Sequence, residues 1–488
     1  MVFTFSCQKK WLKTICFNTD KMFEKIKQLI KGTKFENNVY LVGGCVRDII
    51  MGVLPNDYDI VVSIPNGGIE LANYIFKNVG HSECSTPVVY PTYGTAMIKL
   101  DNIDLEFVQT RKEQYHLDTR NPECVFGTLE EDAFRRDLTI NALYKNLSTN
   151  EILDPTGKGF NDIGNYIIRT TSNPDIIFSD DPLRMLRVLR FASRYMWGID
   201  NDTYNGIIKN VERINIITKE RIRDEINKLL LCQIPSIGFN HLLQTGLLER
   251  IIPSLAGLKR IPQNKYHCDD VWEHTMSVLD KTKPILENRL SALLHDVGKI
   301  FTFSKVDDKI HFYNHETVGA EATIKIMQCL KYPNDIINIV SKVIKNHMIT
   351  KFWGKDFNSF CKKIDYNIRK LQYEFKNEKD LEILFDVIDA DNKSHSPEYC
   401  LPDQINRIRF KSKMFIHYGV DGFNIKLPVN GYDIIGYLDI EEGVHDGKMV
   451  GKIKKHLVNM YLKNPDKYKD KNECLKEIKA IYKNFKKP

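Results

Sequence analysis

Two aspartates one residue apart, Asp57 and Asp59, lie downstream of a glycine pair, Gly43-Gly44, and of Arg47 in the stretch LVGGCVRDIIMGVLPNDYDIVV. Glycines at a strand-to-helix turn let backbone N–H groups approach a phosphate, the helix start adds partial positive charge, and Arg47 adds a formal one. The aspartates lead into Ile60-Val61-Val62, so they begin a strand whose alternation puts both carboxylates on one face. Adjacent carboxylates repel unless a cation sits between them, and Mg²⁺ is held by a few carboxylates together with substrate phosphates. The stretch reads as a site for a nucleoside triphosphate and Mg²⁺. Taken singly, a glycine pair is usually only a turn, and an Asp-x-Asp a solvated loop or helix cap; the order and spacing are what is specific.

A third carboxylate is at hand. In Ile103-Asp104-Leu105-Glu106-Phe107-Val108, Asp104 and Glu106 share a strand face, and Glu106 is the favoured member of an acidic cluster of the kind two-metal phosphoryl transfer needs. The segment RRDLTINALY offers Arg136 for phosphate oxygens and Asp137 as an acceptor for a ribose hydroxyl, with Asn141 on the same segment; a surface ion-pair cluster fits it equally. In DDPLRMLRVLRFASR, Pro182 suits a first helical position with Asp181 as its cap, and Arg184, Arg187 and Arg190 recur every three residues as a basic stripe. Asp181 and Arg184 together present an acceptor and a donor, the pattern that matches the exocyclic amine and ring nitrogen shared by cytosine and adenine. By itself the helix also fits a capped, solvent-facing basic surface.

The second half carries different ligand types: His274, the adjacent pair His295-Asp296, His315, His347, and Asp391 in DADNKSH. Imidazoles with carboxylates suit a divalent transition metal such as Ni²⁺, Mn²⁺ or Co²⁺, and Asp296 is placed to bridge two ions. A lone helical histidine, by contrast, is more often a core residue.

These groups need scaffolds. At 488 residues the chain is too long for one core. Short strand-like runs at 37–42, 58–63, 86–90, 95–100 and 103–108, with LTINALY at 138–144, mark an α/β head. From about 161 onward the periodicity is helical. The expected class is α+β: an N-terminal extension and helix over 1–35, a head over 36–160, a helical neck over 161–262, a histidine-bearing helical domain over 263–400, and a lysine-rich helical tail over 401–488. The net charge of +7 suits a polyanionic partner without requiring one. Eleven cysteines without a C-x-x-C pair point to free thiols in a reducing compartment, the cytoplasm. No apolar run is long enough to span a bilayer, so no membrane partner is expected. The first twenty residues, with lysines and no acid before Asp20, read as an extension rather than a targeting segment. Oligomeric state is not legible.

The motifs LVGGCVRDIIMGVLPNDYDIV, LEFVQTRKEQY, EEDAFRRDLTINALY, DPTGKGFNDIGNYIIR, DDPLRMLRVLRFASR and TKERIRDE resemble, in that order, those of the class II tRNA nucleotidyltransferase and bacterial poly(A) polymerase superfamily. The resemblance covers roughly 36 to 255. It implies a polymerase-β-like head with Asp57 and Asp59 as metal ligands, Gly44, Arg47, Arg136, Arg187 and Arg190 on the nucleotide, Asp137 near the ribose, and Asp181 with Arg184 as an amino-acid template selecting CTP and then ATP for the 3′ end of tRNA. The family usually has Glu-Asp where this chain has Asp180-Asp181. The stretch RKEQYHLDTRNPECVFG looks like the loop linked to switching to ATP, which favours full CCA addition over CC-only addition; a poly(A) polymerase, an A-only enzyme, or an RNA-binding protein with a degenerate head are the alternatives. Residues 265 to 395 resemble the HD phosphohydrolase superfamily, which implies His274, His295, Asp296 and Asp391 as the strict ligand pattern, with His315 and His347 as extra histidines of its metal-rich subset. The lysine-rich tail resembles the carboxy-terminal region of HD-containing members and would suit an RNA backbone.

Overall fold

The computed structural model describes residues 21–55, 57–114, 123–262, 270–350, 357–398, 400, 403–437 and 447–485. The first twenty residues, the centre of the 111–127 loop, most of the boundary stretch 262–268, and 438–446 of the tail lie outside the described residues. The chain divides into two compact units, Met1–Ile251 and Ile252–Pro488.

The first unit is built on a seven-stranded sheet in the order β3-β4-β5-β2-β1-β8-β9. Its strands are β1 (Val39–Val42), β2 (Tyr58–Val62), β3 (Val88–Tyr90), β4 (Thr95–Leu100), β5 (Ile103–Gln109), β8 (Tyr144–Asn146) and β9 (Ile152–Leu153); β6 (Arg111–Gln114) and β7 (Glu123–Phe126) form a separate hairpin. The β2–β5 pair is parallel and the other pairs are antiparallel. Alternation sorts the two faces. Tyr58, Ile60 and Val62 of β2, with Leu105 and Phe107 of β5, join the main core with Met22, Ile26 and Ile30 of the helix over 21–30 and Leu71 and Ile75 of the helix Gly67–Val79. The opposite face carries Val61 in a smaller cluster with Val42, Ala133, Ala142 and Tyr144. Asp57 and Asp59 fall on that second face, so the core holds their strand while their carboxylates stay outside it.

Helices follow: Pro174–Asp180, Leu183–Tyr195, Asn201–Asn210, Lys219–Leu230 and Pro235–Gln244. Two expectations need correction. LTINALY is not one strand: Thr139–Asn141 is a 3₁₀ turn and only Tyr144–Asn146 joins the sheet, because an apolar run alone does not separate strand from turn. The arginine helix begins at Leu183, with Pro182 at its cap position and Asp181 closing the preceding helix. Asp181 still caps in substance, since its Oδ1 accepts from the Leu183 N–H at 3.1 Å.

Among the described residues, the second unit is helical apart from the hairpin Phe303–Val306/Lys309–Phe312. Val271–Lys281, Leu286–Leu294, His315–Cys329, Asn334–Asn346 and Glu378–Asn392 carry the histidine-rich centre. Farther on, Gly447–Lys463 and Lys471–Phe485 share a core of Ile453, Leu457, Tyr461, Cys474 and Ile478, with Lys452, Lys454 and Lys455 exposed. Among the described residues, no helix is long and apolar enough to cross a membrane.

Candidate active site and metal centre

Register brings the head acids together. Asp59 on β2 is the direct partner of Glu106 on the parallel strand β5, and Asp57 precedes Asp59 on the same face. Burial raises the Asp59 carboxyl above its ordinary value, Arg136 opposes, and Asp57 adds to the rise. Glu106 is raised by burial and by Asp59. Carboxylates that resist ionisation because they are buried and close to one another are what a bound cation relieves, and an all-oxygen set fits Mg²⁺. Asp104 instead pairs with Lys99 at 3.5 Å and is mostly exposed.

The glycine turn abuts these acids. Gly43 has φ +76°, and a Cβ there would lie 3.5 Å from Arg136 Nη1 and 3.8 Å from an Asp59 oxygen. Arg136 is anchored from behind: its Nε donates to Asp132 Oδ2 and to the Tyr144 hydroxyl, both at 3.1 Å. Asp132 is fully buried and, although burial opposes it, Arg136 and Arg135 hold its carboxyl far below the usual range.

Arg47 is buried and committed to internal partners. Its Nη2 donates to Asp48 at 2.8 Å, its Nη1 donates to Asn141, and the guanidinium lies 5.4 Å and 5.2 Å from the ring centroids of Phe191 and Tyr195. It ties the glycine turn to the arginine helix. Asn141 passes the chain on, donating to Asp137 Oδ1 at 3.1 Å, and Asp137 Oδ2 accepts from Arg187 Nε at 2.7 Å. Burial would raise Asp137, but Arg187 and Asn141 outweigh it and hold the carboxyl at about 2. Arg190 donates to Glu225 at 2.7 Å, and Arg187 lies 3.9 Å from the same carboxylate. The stripe is therefore not solvent-facing: Arg184 and Arg190 are buried. Asp181 Oδ2 accepts from Arg221 Nη2 at 2.8 Å, so the carboxylate is oriented by a second arginine.

The second unit gathers its ligand types into two groups, His274 with His295 and Asp391, and Asp296 with His315 and His347. Asp296 joins them: its Oδ2 lies 3.2 Å from His295 Nε2, and its Oδ1 3.5 Å from His315 Nε2. His274 Nε2 is 3.1 Å from Asp391 Oδ1. His295, His315 and His347 each turn Nδ1 to the carbonyl three residues back, on Ala292, Phe312 and Ile344, at 2.8, 2.8 and 2.6 Å. That contact selects the Nδ1–H tautomer and leaves Nε2 as a lone-pair donor aimed inward, which is how metal-binding imidazoles are oriented. Burial lowers His274 to about 4. Asp296 lies well below its ordinary value: burial opposes, but His295 and Lys299, at 2.6 Å, prevail. His347 is likewise held well below its ordinary value by burial and by His315, whereas at His295 burial is outweighed by Asp296, which raises it. Imidazoles around an ionised carboxylate fit a divalent transition metal, whose binding would release the His295 proton. Gly298 permits the assembly, since a Cβ there would lie 2.1 Å from the His315 carbonyl oxygen.

Several residues in these networks were not singled out from sequence: Asp132, Tyr144, Arg221, Glu225, Lys299 and His395, whose Nε2 lies 4.0 Å from Asp391. The available signal was spacing by three or four, as in Asp132 before Arg136, Asp296 before Lys299, and Asp391 before His395.

Three family descriptions match in sequence: Poly A polymerase head domain over residues 39–169, "Probable RNA and SrmB- binding site of polymerase A" over 198–258, and HD domain over 266–394. The Multifunctional CCA protein of Pasteurella multocida is 32% identical, covering 63% of this chain and 73% of that protein; its counterpart in Neisseria meningitidis is 30% identical, covering 73% and 84%. The mitochondrial CCA tRNA nucleotidyltransferase of Candida glabrata is 34% identical over 43% of each chain, and the match spans less than half the length of this and the other fungal relatives. In fold, the chain is similar to the Bacillus stearothermophilus CCA-adding enzyme in complex with CTP, with a TM-score of 0.68 at 19% identity over 95% of this chain and 98% of that one. The Thermotoga maritima CCA-adding enzyme complexed with tRNA gives 0.56 at 19% identity, over 95% of each.

Proposed function

The chain belongs to the family of CCA-adding tRNA nucleotidyltransferases with an HD domain, and on that premise we propose that it adds C, C and A to the 3′ end of tRNA from CTP and ATP, without a nucleic-acid template. The observation that carries this reading is the acidic face of β2 and β5, with Asp59 in register with Glu106 and the Gly43 turn and Arg136 beside it. Asp57, Asp59 and Glu106 would hold Mg²⁺, which when bound lowers the pKa of the attacking 3′-hydroxyl and neutralises charge on the leaving pyrophosphate. The Gly43 N–H is spent on the Leu143 carbonyl at 3.2 Å, so the backbone N–H of Gly44 at the helix start and the Arg136 guanidinium receive the triphosphate. Asp137, held ionised, accepts from the ribose. Asp181 accepts from the exocyclic amine of the base and Arg184 donates to its ring nitrogen, while Arg187 and Arg190, braced on Glu225, stiffen the helix that presents them. Incubation with tRNA lacking its CCA end tests this: CTP alone should give two additions, and CTP with ATP should complete three. Extension by A alone into long tails would make the protein a poly(A) polymerase, and arrest after CC a partial enzyme.

A separate observation supports a second activity. His274, His295, Asp296, His315, His347 and Asp391 converge as a buried donor set that would hold Ni²⁺, Mn²⁺ or Co²⁺ for metal-dependent phosphoester hydrolysis. Wild-type protein should hydrolyse 2′,3′-cyclic nucleotides or simple phosphoesters with one of these metals, and His295→Ala combined with Asp296→Ala should not; a wild-type protein inactive with all three metals would make this unit a scaffold. We assign the protein to the cytoplasm, a reducing compartment that suits the free thiols of Cys45, Cys84, Cys232 and Cys474. Recovery of the protein in an organelle fraction would reverse that assignment.

A further inference from the structure

Asp132 takes no part in the chemistry above, yet both of its carboxylate oxygens are fully engaged. Its Oδ1 accepts from Arg135 Nη2 at 2.7 Å and from the backbone N–H of Arg111 at 3.3 Å. Its Oδ2 accepts from the Tyr144 hydroxyl at 2.6 Å and from Arg136 Nη2 at 3.0 Å. Arg111 is the first residue of β6, so one oxygen grips the root of the β6–β7 hairpin and the other grips the arginine that abuts Gly43 and Asp59. Further contacts reinforce the grip on the hairpin: Arg135 Nε donates to the Arg111 carbonyl at 3.1 Å, the Gly127 N–H donates to the Thr110 carbonyl at 3.2 Å, and Lys112 pairs with Glu131 at 2.9 Å. Gly127 is required there, since a Cβ would lie 2.8 Å from the Lys112 nitrogen. The carboxylate has no room to rotate, because it is fully buried and ionised between two guanidinium groups.

We propose that Asp132 is a positioning residue that makes the hairpin root and the Arg136 guanidinium one mechanical unit, so that the position of the hairpin sets where Arg136 meets a nucleoside triphosphate. This rests on the nucleotide-binding reading of the head. The proposal predicts a particular kinetic signature. A residue that only supports the fold lowers the active fraction and hence kcat at unchanged KM, whereas a misplaced Arg136 weakens the triphosphate contact and raises KM for both CTP and ATP.

The test uses the full chain with Asp132→Asn and, in case that variant fails to fold, Tyr144→Phe, which removes one hydroxyl and leaves both arginines paired. Asp132→Asn should raise the Kd for CTP, measured by equilibrium dialysis with Mg²⁺, and the KM for CTP and ATP by about tenfold or more, the scale of one charge-assisted hydrogen bond. The Kd for tRNA should not change, and Tyr144→Phe should give a smaller rise in the same constants. In an Arg136→Ala background, Asp132→Asn should cost nothing further. Hydrogen exchange should show CTP slowing exchange at the Arg111 amide in the wild type and not in Asp132→Asn. Reduced kcat at unchanged KM, additive effects with Arg136→Ala, or equal protection in both proteins would each overturn the proposal. A wild-type protein that binds CTP but adds nothing to tRNA would sink the CCA reading alone, and the dialysis and exchange results would still decide the role of Asp132. A wild-type protein that binds no CTP overturns both.

Discussion

Replacing Asp137 by Asn should destabilise the first unit by an amount that depends on pH. The Asp137 carboxylate accepts from Arg187, Asn141 and the Leu138 N–H, and its carboxyl is held at about 2. An aspartate in an unfolded chain titrates at about 4, and each pH unit of difference is worth about 1.4 kcal/mol, so the ionised form contributes about 2–3 kcal/mol to folding. The folded value is depressed, so the contribution is complete above about pH 5 and fades as the pH falls through 4 towards 2. Urea titrations followed by hydrogen exchange in the helix Leu183–Tyr195 isolate this unit from the other. The difference between wild type and Asp137→Asn should be about 2–3 kcal/mol at pH 7 and approach zero near pH 2, because other carboxylates titrate alike in both proteins and cancel. A difference that stays constant from pH 7 to pH 3 would refute the electrostatic reasoning and leave packing or donor–donor repulsion as the cause.

Other outcomes are expected. Asp59→Ala should abolish nucleotide addition while leaving the Kd for tRNA within a few fold, as read by filter binding, since the acidic face is small beside an RNA footprint. Arg184→Ala should reduce discrimination among CTP, ATP, UTP and GTP by about 1–3 kcal/mol in competition assays, and unchanged discrimination would remove Asp181 and Arg184 from base selection. Gly298→Ala should lower bound Ni²⁺ or Mn²⁺, measured by elemental analysis after dialysis, because the new methyl collides with the His315 backbone.

What was legible in the sequence had short range. Alternation alone put Asp57 and Asp59 on one strand face and Glu106 on another, and their meeting follows from a β2–β5 register that local pattern does not encode. Rare residue types made the histidine centre visible, although not the carbonyl that aims each ring. The arginines were the harder case. Arg47 is separated by 94 residues from Asn141, and Arg187 by 50 from Asp137, and no local pattern distinguishes a guanidinium bound for phosphate from one bound for a buried carboxylate. The alternative of a solvent-facing stripe over 184–190 fails for that reason: Glu225, distant in sequence, draws Arg190 inward. The helix Gly67–Val79, which packs Leu71 and Ile75 under the sheet, went unread among the strand signals around it.

The aim of the imidazoles has a consequence for how this protein can vary. His295, His315 and His347 are each oriented by a carbonyl three residues back on their own segment, next to the end of one helix, the start of another and the end of a third. Ring direction is thus set within single turns of chain, without relying on the side chains that fill the surrounding core. Substitutions in that core, such as Leu for Ile at Ile337 or Val for Ile at Ile368, can drift over many generations and leave the donor geometry intact. Changes at Gly298, where two backbones touch, have no such latitude. Divergence in this unit should therefore accumulate in its apolar filling, while the short turns that carry the histidines stay fixed.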